Sequence, residues 1–205
     1  MRIGFCCKWL NDESEFGGMK VNAKDRNLNG RSTTMRWLRE HPNDAEQRQW
    51  DIMNHNATAA KKMVERVGSL PPERRMVRLG SEMLQGYTEK NWKDWWQRKE
   101  IQDHCAKIFA PVGEAARLLD VKVSFHPGQF CCLSSVTPDI VERSIEEFEY
   151  HVDMARWMGY GKTWHDGCKI NIHISGKRGP EGLLKEFPRL SQEARNLLTI
   201  ENDEM

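Results

Sequence analysis

Three residues of metal-binding type close three apolar stretches of the chain. His126 follows VKVSF, His173 follows KINI, and Glu201 follows LLTI. Imidazole nitrogens and carboxylate oxygens are ligands that Zn²⁺ and Mn²⁺ accept in proteins. A lone histidine at a strand end is more often a hydrogen-bonded rim residue, but three such residues at three successive strand ends favour a shared ion. Bound metals can clamp a phosphodiester and activate water, so we predict that these residues are metal ligands and catalytic residues.

The elements that must position these residues alternate between short strands and long amphipathic helices. Strands are predicted at 2–7, 75–80, 121–125, 168–175 and 197–201, and helices at 44–67, 97–119, 135–160 and 181–197. Two polar tracts, 11–32 and 81–96, are predicted as loops, and Pro111 is expected to kink or split its helix. Strands that alternate with helices and lack hairpin signals pair in parallel, with crossover helices on the sheet.

Two α/β architectures fit this alternation, an open doubly wound sheet and a (β/α) TIM-type barrel. A glycine-rich phosphate motif follows none of the strands, which disfavours a dinucleotide-binding fold. The three ligand-type residues fall at the carboxyl ends of strands, where active sites of barrels lie. The sequence therefore favours the barrel. Since a complete barrel has eight strands and about 250 residues, we expect residues 1–205 to form one barrel domain with about five of its eight units, incomplete at the C-terminus.

The composition sets wide limits on partners and location. The chain has 31 Lys+Arg against 30 Asp+Glu, a net charge of +1, which neither requires nor excludes nucleic acid. No apolar run is long enough to span a membrane, and the N-terminus lacks the pattern of a signal peptide. We therefore expect no membrane partner, and a cytoplasmic protein with reduced cysteines.

Several short blocks together resemble the UV damage endonuclease family. They are RIGFC at 2–6, RLGS at 78–81, SFHPGQF at 124–130, NIHISG at 171–176 and IENDE at 200–204. The pairing of HPGQ with ENDE is the specific part of this resemblance, which extends over essentially all 205 residues. It implies a xylose isomerase-like, endonuclease IV-like barrel that nicks DNA 5′ of cyclobutane dimers and (6-4) photoproducts.

The resemblance also implies which cofactor and which residues would serve this activity. His126, His173 and Glu201 would hold part of a cluster of divalent metals, with Mn²⁺ expected and Zn²⁺ or Mg²⁺ as alternatives. Gln129 and Phe130 match the family's pair that probes the lesion; many members have Tyr at the second position. Unstacking is least costly at damaged bases, so such a wedge would select lesions, unless Phe130 lies under the next loop. Further DNA or phosphate contacts are predicted at Phe5, Arg78, Lys177 and Arg178.

Three functions remain open on the residues alone. The first is an endonuclease whose partner is double-stranded DNA with UV lesions, acting in the cytoplasm on the nucleoid. The second is a non-catalytic damage-binding or half-barrel subunit that needs a second chain, because the family's later ligands (Asp, His, a modified Lys, His and Glu) have no counterparts here. The third is another barrel enzyme, such as a sugar isomerase or abasic-site endonuclease.

Overall fold

Five parallel strands form a single sheet in the order β1-β2-β3-β4-β5. The structure is a computed structural model, and it describes residues 2–9, 28–128, 130–174 and 176–201. The strands are β1 Phe5–Cys6, β2 Met76–Arg78, β3 Lys122–Phe125, β4 Cys168–His173 and β5 Leu198–Glu201. The predicted α/β class with a parallel sheet is confirmed. Within the described residues β1 and β5 are the sheet edges, and closure into a barrel stays a prediction.

Seven helices accompany the strands in the described residues. They are α1 Met35–Glu40, α2 Ala45–Gly68, α3 Lys93–Trp96, α4 Lys99–Leu118, α5 Pro138–Trp157, α6 Gly179–Glu186 and α7 Gln192–Leu197, with 3-10 turns at Pro72–Arg74 and Phe187–Arg189. The four predicted helices are present, the last one broken into α6 and α7. Of the helices described, none has the length and apolar character to cross a membrane.

Three local features differ from the sequence-based prediction. Helix α4 continues through Pro111, so the expected split does not occur. Helix α3 lies inside the tract 81–96 that was predicted as a loop, because Trp95 and Trp96 turn inward and are buried in the core. Helix α1 is a single short amphipathic segment with one buried residue, Leu38, which is too little periodicity to detect in the sequence.

Strand alternation gives the sheet two unlike faces. Val77, Val123 and Cys168 are in register and buried in the core, as are residues two positions further along β3 and β4. The intervening positions point to the other face, since successive strand side chains alternate. Arg78 and Lys169, in register on either side of Ser124, lie half-buried on that face. One face thus holds the helices, and the other is polar.

Helices α2, α4 and α5 are held on the apolar face by large aromatic side chains. Trp96, Phe109, Phe125 and Phe148 are fully buried there. Burying each such side chain stabilises the fold by about 1.5–3 kcal/mol relative to exposure. This packing keeps the strands in place, and with them the residues at the strand ends.

A close backbone approach in this layer joins α4 to the end of α5. A Cβ added at Gly113 would lie 1.8 Å from the carbonyl oxygen of Met158, which is itself fully buried. No side chain larger than hydrogen fits between these two backbones.

We predict that Gly113→Ala lowers the free energy of unfolding by about 3 kcal/mol, because the two helices must separate to admit the methyl group. Denaturant unfolding followed by circular dichroism measures this change. Gly80→Ala is the matched control, since a Cβ at Gly80 would meet nothing within 4 Å. Equal unfolding midpoints for the two variants would contradict the packing described above.

Candidate metal centre

The structure brings the three predicted ligand residues together at the carboxyl end of the sheet. His126 directly follows β3, while His173 and Glu201 end β4 and β5 as register partners. One ligand atom from each residue lies within 4.8 Å of the others. The rings of His126 and His173 have centroids 4.6 Å apart. Among the described residues, this is the only group of three or more histidine, cysteine or acidic side chains with such spacing.

The spacing and the donor atoms of this triad fit a divalent cation. With metal–ligand bonds of about 2.0–2.2 Å, ligand atoms on a shared ion lie roughly 3 to 4.4 Å apart, close to the spacing seen here. Two imidazoles and one carboxylate form a donor set that Mn²⁺ and Zn²⁺ accept. Three protein ligands also leave coordination positions open, as catalytic metal sites require.

The hydrogen bonds of His126 are compatible with a cation between the three side chains. Its Nδ1 lies 2.8 Å from the carbonyl oxygen of Pro127, which can only accept, so Nδ1 carries a proton. Its Nε2 lies 3.1 Å from Oε2 of Glu201. In the neutral ring Nε2 is then an acceptor facing a carboxylate, and the two atoms repel unless a proton or a metal ion lies between them. A ligand histidine that donates its second nitrogen to a carbonyl is the usual arrangement in metal sites.

Two polar neighbours orient the carboxylate of Glu201. The Asn171 amide donates from Nδ2 to Oε2 of Glu201 at 2.8 Å, and the Thr199 hydroxyl donates to Oδ1 of Asn171 at 3.2 Å. Asn171 and Thr199 are register partners on β4 and β5. Neither was among the predicted site residues, although the position of Asn171 two residues before His173 places both on one face of the strand. These contacts direct the carboxylate toward the histidines.

A second chain of hydrogen bonds holds the backbone of His126. The Ser81 hydroxyl donates to the carbonyl of His126. The buried Tyr150 hydroxyl donates to the carbonyl of Ser81 at 2.9 Å and accepts from the Leu84 amide at 3.0 Å. Burial strongly raises the pKa of Tyr150, so its hydroxyl remains a donor. Helix α5 therefore fixes the loop after β2, and that loop fixes the turn after β3.

Helix α5 also carries a buried histidine and a half-buried glutamate. His151 is fully buried, its Nδ1 donates to the carbonyl of Glu147 at 2.7 Å, and burial lowers its pKa to about 4. Desolvation raises the pKa of Glu147 to about 7, and a hydrogen bond from Thr88 opposes that shift. His151 is thus a neutral core residue, and Glu147 titrates near neutrality.

The residues predicted to probe DNA lie on the turn after His126. Gln129 lies outside the described residues. Phe130 is 83% exposed, so it does not lie under the next loop. The Cys131 amide closes the turn on the carbonyl of Gly128 at 2.9 Å, and Cys131 itself is buried. The buried cysteine holds the turn while the phenyl ring stands in solvent.

The remaining predicted DNA contacts occupy different surroundings. Phe5 is half-buried and packs edge-on against Trp9, with ring centroids 5.2 Å apart. Arg78 ends β2 and lines a cavity beside that strand. Lys177 is exposed in the loop after β4. Their roles toward DNA stay predictions.

Arg178 is held by structural contacts. Its Nη2 donates to the carbonyl of Leu133 at 3.0 Å and to Oε1 of Glu186 at 2.9 Å. These bonds connect the loop after β4 to α6 and to the segment after the Phe130 turn. Arg178 therefore shapes this rim, and a direct DNA contact by it stays a prediction.

The fold and the site together define a class: α/β proteins with a candidate divalent-metal site at the carboxyl end of a parallel sheet. Within that class, the model of the family described as UV-endonuclease UvdE matches residues 15–205. The chain belongs to the UV-endonuclease UvdE family, which confirms the resemblance noted in its sequence.

Individual relatives match part of the chain. The UV DNA damage endonuclease of Clostridium perfringens is 32% identical over 135 residues, 63% of this chain and 30% of that protein. That of Nostoc sp. is 33% identical over 105 residues, 51% of this chain and 32% of its own length. The chain thus spans about a third of the length of these relatives. The crystal structure of SacUVDE shares the fold, with a TM-score of 0.73 and 23% identity over 99% of this chain and 61% of that one.

The carboxyl group of Glu147 on α5 makes the free energy of unfolding depend on pH. Its pKa of about 7 in the folded chain exceeds its ordinary value of 4.5, so the folded state binds more protons between these values. The free energy of unfolding therefore falls as pH rises from about 4.5 through 7. Since the Glu147 side chain is 32% exposed, solvent screening reduces the effect to about 1–2 kcal/mol.

We predict that Glu147→Gln removes this decrease of the free energy of unfolding with rising pH, and that the variant is more stable than wild type at pH 8. Urea unfolding at pH 5 and pH 8 measures it. Glu114→Gln, at an exposed position on α4, is the control and should follow wild type. A pH dependence that persists in Glu147→Gln would assign the effect to another group.

Proposed function

We propose that this chain is the metal-binding and lesion-probing part of an endonuclease that nicks DNA 5′ of UV photoproducts. The observation that carries the proposal is the convergence of His126, His173 and Glu201 on the rim where Phe130 stands free in solvent. Family membership supports the nuclease role, and the substrate is double-stranded DNA with cyclobutane dimers or (6-4) photoproducts. Such an enzyme acts on the chromosome, so a cytoplasmic, nucleoid-associated location is part of the proposal.

In this proposal the triad holds a divalent cation, Mn²⁺ first and Zn²⁺ or Mg²⁺ as alternatives. A bound ion of this kind polarises a phosphodiester and lowers the pKa of a water. The chain's own residues prepare the site for it. Asn171 turns the carboxylate of Glu201 toward the histidines, and the Pro127 carbonyl keeps the proton of His126 on Nδ1.

The turn after His126 carries residues for two roles, metal binding and lesion probing. His126 points to the triad, while Phe130 extends into solvent and Gln129 lies between them in sequence. An aromatic ring that is exposed to solvent can enter a base stack, and unstacking costs a few kcal/mol per step, least where bases are damaged. Because one short turn links wedge and ligand, recognition of a distorted step would place the adjacent phosphodiester near the metal.

A second candidate function is a damage-binding half-barrel that needs a second chain. The observation favouring it is the outer side of β5, where Ile200 is 45% exposed although its register partner Ile172 is buried. An uncovered apolar residue on an edge strand invites pairing with further strands. In this alternative the chain keeps the wedge and the triad but nicks DNA only when another chain completes the sheet.

We predict that His173→Ala and Glu201→Gln each weaken Mn²⁺ binding by more than about 10-fold, because a ligand is lost. Equilibrium dialysis with elemental analysis measures the affinity. His165→Ala, an exposed histidine in the loop before β4, is the control. Unchanged Mn²⁺ binding in both ligand variants would refute the site.

Activity separates the two candidate functions. Supercoiled plasmid is irradiated with UV light and incubated with the chain and Mn²⁺, and nicks are compared with unirradiated plasmid. Nicking of irradiated plasmid alone, lost in His173→Ala, is expected for the endonuclease. Binding to irradiated plasmid without nicking would instead establish the half-barrel.

We predict that Phe130→Ala, alone or with Gln129→Ala, reduces the preference for irradiated over unirradiated duplex by about 5- to 100-fold, the range expected for one stacking contact. Fluorescence anisotropy measures both affinities. Leu118→Ala, an 85% exposed apolar residue on α4, is the control. Mn²⁺ binding should not change, and its loss in Phe130→Ala would show that the turn is structural.

A further inference from the structure

A cavity beside the triad contains three cations and one carboxylate. It has a volume of about 370 Å³ and lies between the segments that follow β1 and β2 and the inner side of α2. Lys8, Arg31 and Arg78 line it together with Glu82. The Ser32 hydroxyl also lines it, whereas the hydroxyl of Ser81, another lining residue, already donates to the carbonyl of His126. The cavity therefore combines positive charge with one further hydroxyl donor, Ser32.

The three cations have no carboxylate partner within the part of the chain that the structure describes. None of them takes part in an ion pair there, and Nε of Arg78 is buried without a hydrogen-bond partner. Lys8 and Arg31 are exposed, while Arg78 is half-buried. A buried donor without an acceptor is costly, and like charges in one cavity repel each other. This arrangement is relieved by an anion that accepts hydrogen bonds from all three side chains.

The walls of the cavity are held independently of these cations. The buried Asn56 of α2 accepts from the Arg31 amide at 2.7 Å and donates to the Arg31 carbonyl at 2.9 Å. The same amide group donates to the Met83 carbonyl at 2.8 Å, which ties the segment after β2 to the helix. A Cβ at Gly30 would lie 3.3 Å from Oδ1 of Asn56, so the chain passes close there. The cavity is thus preformed, and the cations do not build it.

The neighbouring cavity, beside Phe130, shows that basic residues alone do not define such a site. It has a volume of about 1090 Å³, and its three cations face four carboxylates. These are Lys90, Lys93 and Arg143 against Glu89, Asp94, Glu146 and Glu147. Lys93 is also paired with Glu146 at 2.5 Å. Of these two cavities, only the one at β1 and β2 has an excess of positive charge.

We propose that the cavity lined by Lys8, Arg31 and Arg78 binds one backbone phosphate of DNA, with room for its flanking sugars. The assignment rests on the proposed endonuclease function and adds a fixed point for the DNA strand. Arginine forks match phosphate oxygens with paired hydrogen bonds. Arg78 at the end of β2 is the register partner of Ser124, which precedes His126 by two residues. Strand spacing and rise per residue therefore put the Cα atoms of Arg78 and His126 about 8 Å apart. A phosphate held there lies within a few nucleotides of the triad.

The test measures how DNA binding depends on salt. The affinity for unirradiated duplex is measured by anisotropy at several salt concentrations, for wild type and for the triple variant Lys8→Gln, Arg31→Gln, Arg78→Gln. Losing one phosphate contact lowers the slope of log affinity against log salt by about 0.9. We expect a loss of about that size for the triple variant, because the three cations share one phosphate. Each single variant should weaken binding severalfold, and Arg78→Lys should retain the slope.

The control removes the same kind of charge at the opposite end of the sheet. Lys162→Gln, at an exposed position before β4, should leave the slope unchanged. The proposal of a single phosphate pocket would be overturned if Lys162→Gln lowered the slope as much as the triple variant does, or if the triple variant left the slope unchanged. A decrease of the slope in the triple variant near three times about 0.9 would also overturn it. Mn²⁺ binding and the circular dichroism spectrum verify that the variants are folded.

Inorganic phosphate distinguishes DNA from a small phosphorylated ligand. At constant ionic strength, phosphate should raise the Tm of wild type by mass action and leave that of the triple variant unchanged. The same Tm result with an unaltered salt slope would assign the cavity to a small phosphate ligand and overturn the DNA assignment. A wild-type chain that binds no duplex but keeps the phosphate-dependent Tm rise would refute the endonuclease function and leave an anion site.

Discussion

The in-register pairing of parallel strands is the constraint on which the rest of this structure depends. Because side chains alternate along each strand and register partners share a face, one choice of register sorts the whole sheet. The side chains of Val77, Val123 and Cys168 pack on the face covered by the helices. Those of Arg78 and Lys169 lie on the polar face. A shift by one residue would bury the charges and remove the triad. The apolar core and the candidate metal site therefore follow from the same hydrogen-bond ladder.

The rim of the sheet and helix α5 keep polar groups in arrangements that stability alone would not favour. Nε2 of His126 faces a carboxylate, Arg78 has a buried nitrogen without a hydrogen bond, and Glu147 is desolvated enough for its pKa to reach about 7. Perturbed and unpaired groups of this kind cluster at functional sites. The helices supply the opposing stability, since the large aromatic residues of α3, α4 and α5 are buried on the other face.

The candidate metal centre, the exposed ring of Phe130 and the cationic cavity lie on segments that leave neighbouring strands at one end of the sheet. In the proposed function each would offer DNA a different physical interaction: charge neutralisation at a scissile phosphate, stacking at a distorted step, and an ion pair with a backbone phosphate. Ser81 contributes to two of them, because it lines the cavity and its hydroxyl holds the carbonyl of His126. A strand bound in the cavity would thus contact the loop that positions the metal ligand.

The sequence by itself determined the element order, the parallel α/β class and the triad, because strand alternation and strand ends are local patterns that need no knowledge of packing. The ends of β3, β4 and β5 must meet at one edge, so His126, His173 and Glu201 could be grouped in advance. Tertiary structure alone decided the rest. The roles of Asn171 and Tyr150, the inward turn of Trp95 and Trp96 and the shared cavity of Lys8, Arg31 and Arg78 depend on contacts between segments distant in sequence. Such contacts arise from side-chain packing and hydrogen-bond geometry, which no local pattern encodes.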